Sequence, residues 1–188
     1  KRFTDLRLKS LYLGLSDGAR TNELRRGSNG EIGNEQIWQA YELGEEKAED
    51  MIKELTKALR KSGRDEQGPL FNLIWLLDDF SGSGNTYIRY DAASRTFKGK
   101  IPKVYDRLTK GDLVHPQHYE VFLLLYLATR QAVDHIEYWA ERYTSEMGYK
   151  PLQLRVLSIL EPRNSLRHCE DPEIRALLSN SGYNDPDA

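Results

Sequence analysis

The 188-residue chain sets 27 Lys and Arg against 29 Asp and Glu, a formal net charge of −2, with 39% hydrophobic and 30% charged residues. These totals describe one globular domain spanning 1–188, long enough for a substantial core, and give no global electrostatic case for binding nucleic acid or an anionic membrane. The one cysteine, Cys169, excludes an internal disulfide framework and a cysteine-built zinc site, and fits a reducing cytoplasm.

No apolar run reaches the roughly 18 residues of a membrane span, and no secretory core follows the basic first residues. The chain begins at Lys1 and reads as a piece of a longer one. Residues 8–15, with Leu11, Tyr12, Leu13 and Leu15, predict a short and mostly buried strand. Residues 16–21 break it, 22–26 read as a helical turn, and 27–30 read as a loop. Asn34 is a candidate N-cap for a helix over 35–41. A longer helix is predicted over 45–61, where Ala48, Met51, Ile52, Leu55 and Leu59 share one face. Its acids lead and its bases trail, which suits the helix dipole.

After an exposed connection over 62–69, residues 70–77 form an apolar run that reads as a buried strand. A helical pattern is expected from Asn85 or Thr86 onward, while 95–100 is too polar and irregular to assign. Pro102 suits the first turn of a helix running to about 109. Residues 119–128 predict a central strand covered on both faces. Residues 131–145 predict a helix whose inner face holds Ala132, Val133, Ile136, Trp139, Ala140 and Tyr143. Residues 152–160 predict another strand, 171–179 a helix with Asp171 at its cap and Pro172 in its first turn, and 182–186 a loop. Strands alternating with helices imply an α/β fold, a mostly parallel sheet with helices on both faces.

Chemistry concentrates where the 70–77 run ends. Asp78 and Asp79 are followed by Phe80, Ser81, Gly82, Ser83, Gly84, Asn85 and Thr86. Vicinal sugar hydroxyls are donors that two neighbouring carboxylates can accept, and a tight Gly- and Ser-rich turn presents backbone N–H groups to a phosphate. That order suits a ribose 5-phosphate lying across the end of a strand. The plainer reading is a loop that caps a strand. The second candidate is Ser16, Asp17, Gly18, Ala19 and Arg20. Gly18 permits close backbone approach and Arg20 offers a bidentate phosphate contact; the same residues also read as a surface turn with a solvated arginine.

Residues 76–86 resemble the phosphoribosyl-pyrophosphate (PRPP) motif of type I phosphoribosyltransferases, in which two apolar residues precede two acids and a Thr/Ser-Gly-x-Thr phosphate loop. Here Ser83-Gly84-Asn85-Thr86 stands in that loop. Together with residues 16–21 and Asn34-Glu35-Gln36, the motif is similar to a bacterial branch of the family found beside defence systems, including some retrons. The resemblance implies a phosphoribosyltransferase-like fold and PRPP or another nucleotide as ligand. Asp78 and Asp79 would serve the ribose and the cationic transition state, Ser81 to Thr86 the 5-phosphate, and Ser16 to Arg20 the pyrophosphate. It implies Mg2+ held mainly by the substrate, and a possible defence-system protein partner. Transfer, hydrolysis, nucleotide sensing and a scaffold role all remain open to it. The flexible hairpin that the family carries between these two loops is not recognisable, and neither is the hood that selects an acceptor base.

Other tempting residues read as structural. His168 beside Cys169 lies in a polar connection. His115 and His118 flank Pro116 with no carboxylate or cysteine at metal spacing, and His135 reads as a surface residue. Trp38, Trp75 and Trp139 fall in apolar patterns, and Arg163 and Arg167 read as exposed.

Overall fold

A computed structural model describes residues 2–42, 45–64, 68–110, 113–115, 117–161 and 171–178. Its elements in chain order are α1 (Arg2–Leu8), β1 (Ser10–Gly14), α2 (Thr21–Gly27), β2 (Ile37–Gln39), α3 (Glu45–Lys61) and β3 (Leu73–Ser81). A small hairpin follows, β4 (Arg89–Asp91) and β5 (Thr96–Lys98), then α4 (Lys100–Lys110), β6 (Glu120–Thr129), α5 (Arg130–Met147), β7 (Leu152–Leu160) and α6 (Pro172–Leu178). The five long-range strands form one parallel sheet in the order β2-β1-β3-β6-β7. This is the parallel α/β architecture expected from the sequence.

Alternation along the strands gives the sheet two unlike faces. On one face Leu11, Leu13, Ile74, Leu76, Val121, Leu123 and Leu125 are fully buried. They join Met51 and Leu55 of α3, Ile101 and Leu108 of α4, and Ala132 and Ile136 of α5 in one core. On the other, Tyr12, Trp75 and Phe122 occupy paired positions and stack in a row, with centroids 6.5 and 4.5 Å apart. That row is only half-buried. Right-handed crossovers explain the asymmetry. The chain steps one way from β1 to β2 and the opposite way through β3, β6 and β7, so α2 is carried to one face and α3, α4 and α5 to the other. Thr21 at the start of α2 lies over Gly14, on the side of the Tyr12 row. The expected two-sided cover of β6 is therefore heavy on one face and light on the other.

Three local expectations are corrected. Residues 35–41 are not a helix: a 3-10 turn at Asn34–Gln36 leads into β2, and a second at Ala40–Glu42 leaves it. The side-chain amide of Gln36, 2% exposed, donates to Arg7 O (2.6 Å) and Ser10 O (2.9 Å), tying α1 and β1 to this segment, and β1 then offers Ile37 and Trp38 a free edge. The helix expected after Thr86 is instead the β4–β5 hairpin. Asp91 accepts the turn amides of Ala93 (3.0 Å) and Ser94 (3.3 Å), and Tyr90 and Phe97 pack on Trp139 of α5. The strand expected over 70–77 starts at Leu73 and runs on through both acids to Ser81.

Helix α6 carries the expected cap, with Asp171 Oδ1 accepting from Glu173 N at 2.9 Å. The 182–186 loop, Arg163, Arg167, His168, Cys169 and Pro116 lie outside the described residues. No helix among the described residues is long and apolar enough to cross a membrane.

Candidate functional site

The strand order reverses at β1: the chain goes from β1 to β2 on one side and then to β3 on the other. Counting only the parallel strands, this is one of the two common doubly wound orders. Its crevice outside the carboxyl ends of the first and third strands is where such sheets take ligands. Two loops flank that crevice here, residues 15–20 after β1 and residues 82–87 after β3. They are the two stretches singled out in the sequence.

Neighbouring residues on a strand face opposite ways, so Asp78 and Asp79 part company. Asp78 is 1% exposed and points to the helix-covered side. It accepts hydrogen bonds from the hydroxyls of Ser16 and Tyr87 (2.7 Å) and an ion pair from Lys100 Nζ at 2.6 Å. Burial pushes its carboxyl up, but the bonds from Lys100, Ser16 and Tyr87 and the Lys100 charge outweigh it, and the group sits below its ordinary 3.8. Burial, then the bond to Asp78, drives the Tyr87 phenol far above its usual range, so it stays a donor. Tyr87→Phe is expected to cost about 1–2 kcal/mol in chemical denaturation, because Asp78 and the Phe80 carbonyl each lose a donor.

Asp79 is exposed, with one oxygen accepting from Phe80 N at 2.9 Å. Gly18 is pressed against it. A Cβ built on Gly18 would lie 2.1 Å from Asp79 Oδ2 and 2.4 Å from its Cγ. The loop after β1 thus meets the end of β3 twice, Ser16 on Asp78 and Gly18 on Asp79, across a sequence separation of 62 for the first contact. Two side-by-side ribose carboxylates are not what the strand presents. One acid belongs to an internal network and one to the crevice.

The loop after β1 is held from several sides. Ser16 is extended, Asp17–Ala19 form a 3-10 turn, and Arg20 adopts the left-handed conformation at φ 49°. Ala19 is fully buried and its carbonyl accepts from Tyr126 OH of β6 at 2.8 Å. Asp17 accepts from Tyr41 OH at 3.3 Å. The Arg20 guanidinium lies in solvent beside Glu23, 3.3 Å away.

The loop after β3 leans on α5. Gly84, at φ +79°, has Ala132 O and the His135 ring where a Cβ would point. Thr129 donates its hydroxyl to Gly82 O and accepts from Ala132 N at 3.1 Å, joining the loop to the helix N-cap. The helix start beside this loop is therefore that of α5, not of a helix beginning at Asn85 or Thr86. Asn85 N reaches Ser83 Oγ at 3.4 Å, and Ile88 N and Tyr87 N both bond Gly84 O. Ser81 is 3% exposed, and its hydroxyl has no hydrogen-bond partner among the described residues.

His135 is half-buried rather than a surface residue. Since a carbonyl only accepts, its Nε2 carries a proton and donates to Ile88 O at 2.8 Å. His135, Thr129, Tyr126, Tyr87 and Lys100 are the site residues that sequence reasoning missed; none stands at a motif spacing from the acids. His115 and His118 are exposed and contact each other through their Nδ1 atoms at 3.0 Å. Trp75 lies in the half-buried row, not in the core. No group of three or more His, Cys, Asp or Glu side chains converges as a metal site among the described residues. Two cavities, of about 590 and 390 Å³, lie away from the crevice. Comparison with protein-family models, with curated proteins and with solved structures finds no match to this chain.

Proposed function

We propose that the chain is a phosphoribosyltransferase-like enzyme binding PRPP, or another ribose 5-phosphate nucleotide, across the carboxyl ends of β1 and β3. The observation that carries the reading is the meeting of the loop after β1 with the acid-bearing end of β3 at the strand-order reversal, beside the exposed Asp79. In this reading Asp79 accepts the ribose hydroxyls. The exposed Ser83 and Thr86 hydroxyls and the amides of residues 82–86 take the 5-phosphate, whereas the Ser81 hydroxyl is buried away from solvent. Ser16 to Arg20 lie against the pyrophosphate, with the exposed Arg20 guanidinium free to turn toward it.

In the transfer step, the bond from ribose C1 to the pyrophosphate oxygen breaks with its electron pair leaving on pyrophosphate, and a nitrogen lone pair forms the new bond. The ring passes through a cationic state that the Asp79 carboxylate favours. The residues present fit Mg2+ carried by the ligand: Asp78 is committed to Lys100, and Asp79 is left to meet the ion's water shell. Bound there, the ion would neutralise charge on the leaving group. A second reading, a nucleotide-sensing module without turnover, is favoured by the neutralised Asp78, because one acid of the pair contributes little negative field. Either role suits the defence setting that the sequence resemblance implies.

Thermal melting with PRPP and Mg2+ tests the reading. Saturation at about 100 times Kd is expected to add about 2.7 kcal/mol of stability. Asp79→Asn and Gly18→Ala are expected to lose about tenfold or more in affinity with the free-protein melting temperature little changed, since both act in the crevice. Absence of a shift in the wild type, or an equal shift in both variants, rejects the ribose-phosphate site. Release of pyrophosphate across nucleobase acceptors then separates enzyme from sensor.

A further inference from the structure

The outer edge of β7 carries a separate surface. Leu152–Leu160 ends the sheet, and no strand pairs with its far side among the described residues. Such an edge presents unpaired backbone donors and acceptors to any extended chain. One backbone acceptor of β7 is filled from its own side chain: the Arg155 guanidinium folds back to donate to Leu154 O at 2.9 Å.

Beside this edge, α5 and β7 enclose the cavity of about 590 Å³, lined by Tyr149, Pro151, Leu152 and Leu154 and by the carboxylates of Glu137 and Glu141. The two acids stand one helical turn apart on α5, both exposed, and neither carboxylate accepts a hydrogen bond or forms an ion pair among the described residues, although the Arg130 charge acts on Glu137 from farther off. Glu146, farther along the same helix, is paired with Arg142 at 2.6 Å. The groove therefore combines an open strand edge, an apolar floor and two carboxylates without an ion-pair partner, with a single cation, Arg155, on its β7 side.

We propose that this groove takes an extended peptide segment of alternating apolar and basic residues, added as a further strand along β7. Alternate residues of that strand face α5, where lysine stems cover Leu152 and Leu154 and their ammonium groups meet Glu137 and Glu141. The intervening apolar residues face the opposite side, beside Leu157, which is 70% exposed. Charge decides against a second copy as the occupant. Pairing β7 with β7 about a two-fold axis would set Glu137 and Glu141 of both copies, four carboxylates, against only the two Arg155 side chains, so like charges predominate and oppose association.

The probe is a labelled peptide of alternating valine and lysine, followed by fluorescence anisotropy. Saturable binding to the wild type is expected, weakened about tenfold or more by the paired substitutions Glu137→Lys and Glu141→Lys. Both positions are exposed, so the melting temperature of the variant should be unchanged. A peptide N-methylated at alternate residues keeps the charges but loses the ladder donors, and is expected not to bind. Equal binding by the charge-reversed variant, equal binding of the N-methylated peptide, or no binding to the wild type would each overturn the proposal. Sedimentation as a dimer that the peptide leaves intact would assign the edge to a second copy and overturn it as well.

Discussion

Asp78→Ala is expected to lower the unfolding free energy by about 3 kcal/mol, at the low end of what removing one partner of a buried ion pair costs. The low end applies because the Lys100 side chain is 33% exposed and can turn its charge to solvent once Asp78 is gone. The hydroxyls of Ser16 and Tyr87 lose the same acceptor, although Tyr87 keeps the Phe80 carbonyl at 3.0 Å. Urea denaturation followed by circular dichroism measures the effect. Adding Lys100→Met to Asp78→Ala should recover part of the loss, since the uncompensated charge goes with it. If the single and double variants are equally unstable, the ion pair is not what Asp78 contributes.

The same group predicts a pH dependence. Its folded-state carboxyl lies below the ordinary 3.8, so the native protein holds the ionised form more tightly than the unfolded chain does. The associated stability is present above the ordinary carboxylate range and is lost as pH falls through the lowered native value. Asp78→Asn removes this titration, and its stability curve below about pH 4 should be flatter than that of the wild type.

Gly99→Ala is the second large effect, about 3 kcal/mol or more, the sum of a backbone strain and a clash. Gly99 sits at φ +127°, and a Cβ there would lie 2.4 Å from Tyr87 O, 2.7 Å from Tyr87 C and 2.9 Å from Ile88 N. All three are backbone atoms that no rotamer change can move. Gly99 also sets the start of α4 against the loop, through Lys100 N to Thr86 O at 3.0 Å and Ile101 N to Tyr87 O at 2.9 Å. A side chain at Gly99 therefore disturbs the Lys100 partner of Asp78 along with the loop. Gly63→Ala separates the two costs: it has φ +67° with nothing within 4 Å, so only conformational strain of about 1 kcal/mol applies. Similar melting temperatures for the two variants would show that the Tyr87 contact is not restrictive.

The long elements were legible because their signal is local. Ala48, Met51, Leu55 and Leu59 mark the buried stripe of α3, and the apolar runs of β6 and β7 mark strands whatever their neighbours. The alternation of those elements was enough for a parallel α/β sheet, and the end of β3 was enough to place the polar loop at a strand terminus. Segments of three residues carry no comparable period. Ile37–Gln39 became a strand because β1 has a free edge beside it, and Arg89–Lys98 became a hairpin because Tyr90 and Phe97 find Trp139. Neither cause lies within the segment itself.

The sequence by itself determined that two adjacent carboxylates precede a Gly- and Ser-rich turn, and that a second small-residue loop follows an early strand. Only the tertiary structure decided what each acid does. Facing opposite ways from one strand, Asp78 meets Lys100, 22 residues on, and becomes structural, whereas Asp79 meets Gly18 and stays open. It also recruited His135 and Tyr126 to hold the loops, over separations of 47 and 107 residues. Periodicity records which side of an element is apolar; the partner of a polar group depends on which elements pack together, and no local pattern carries that.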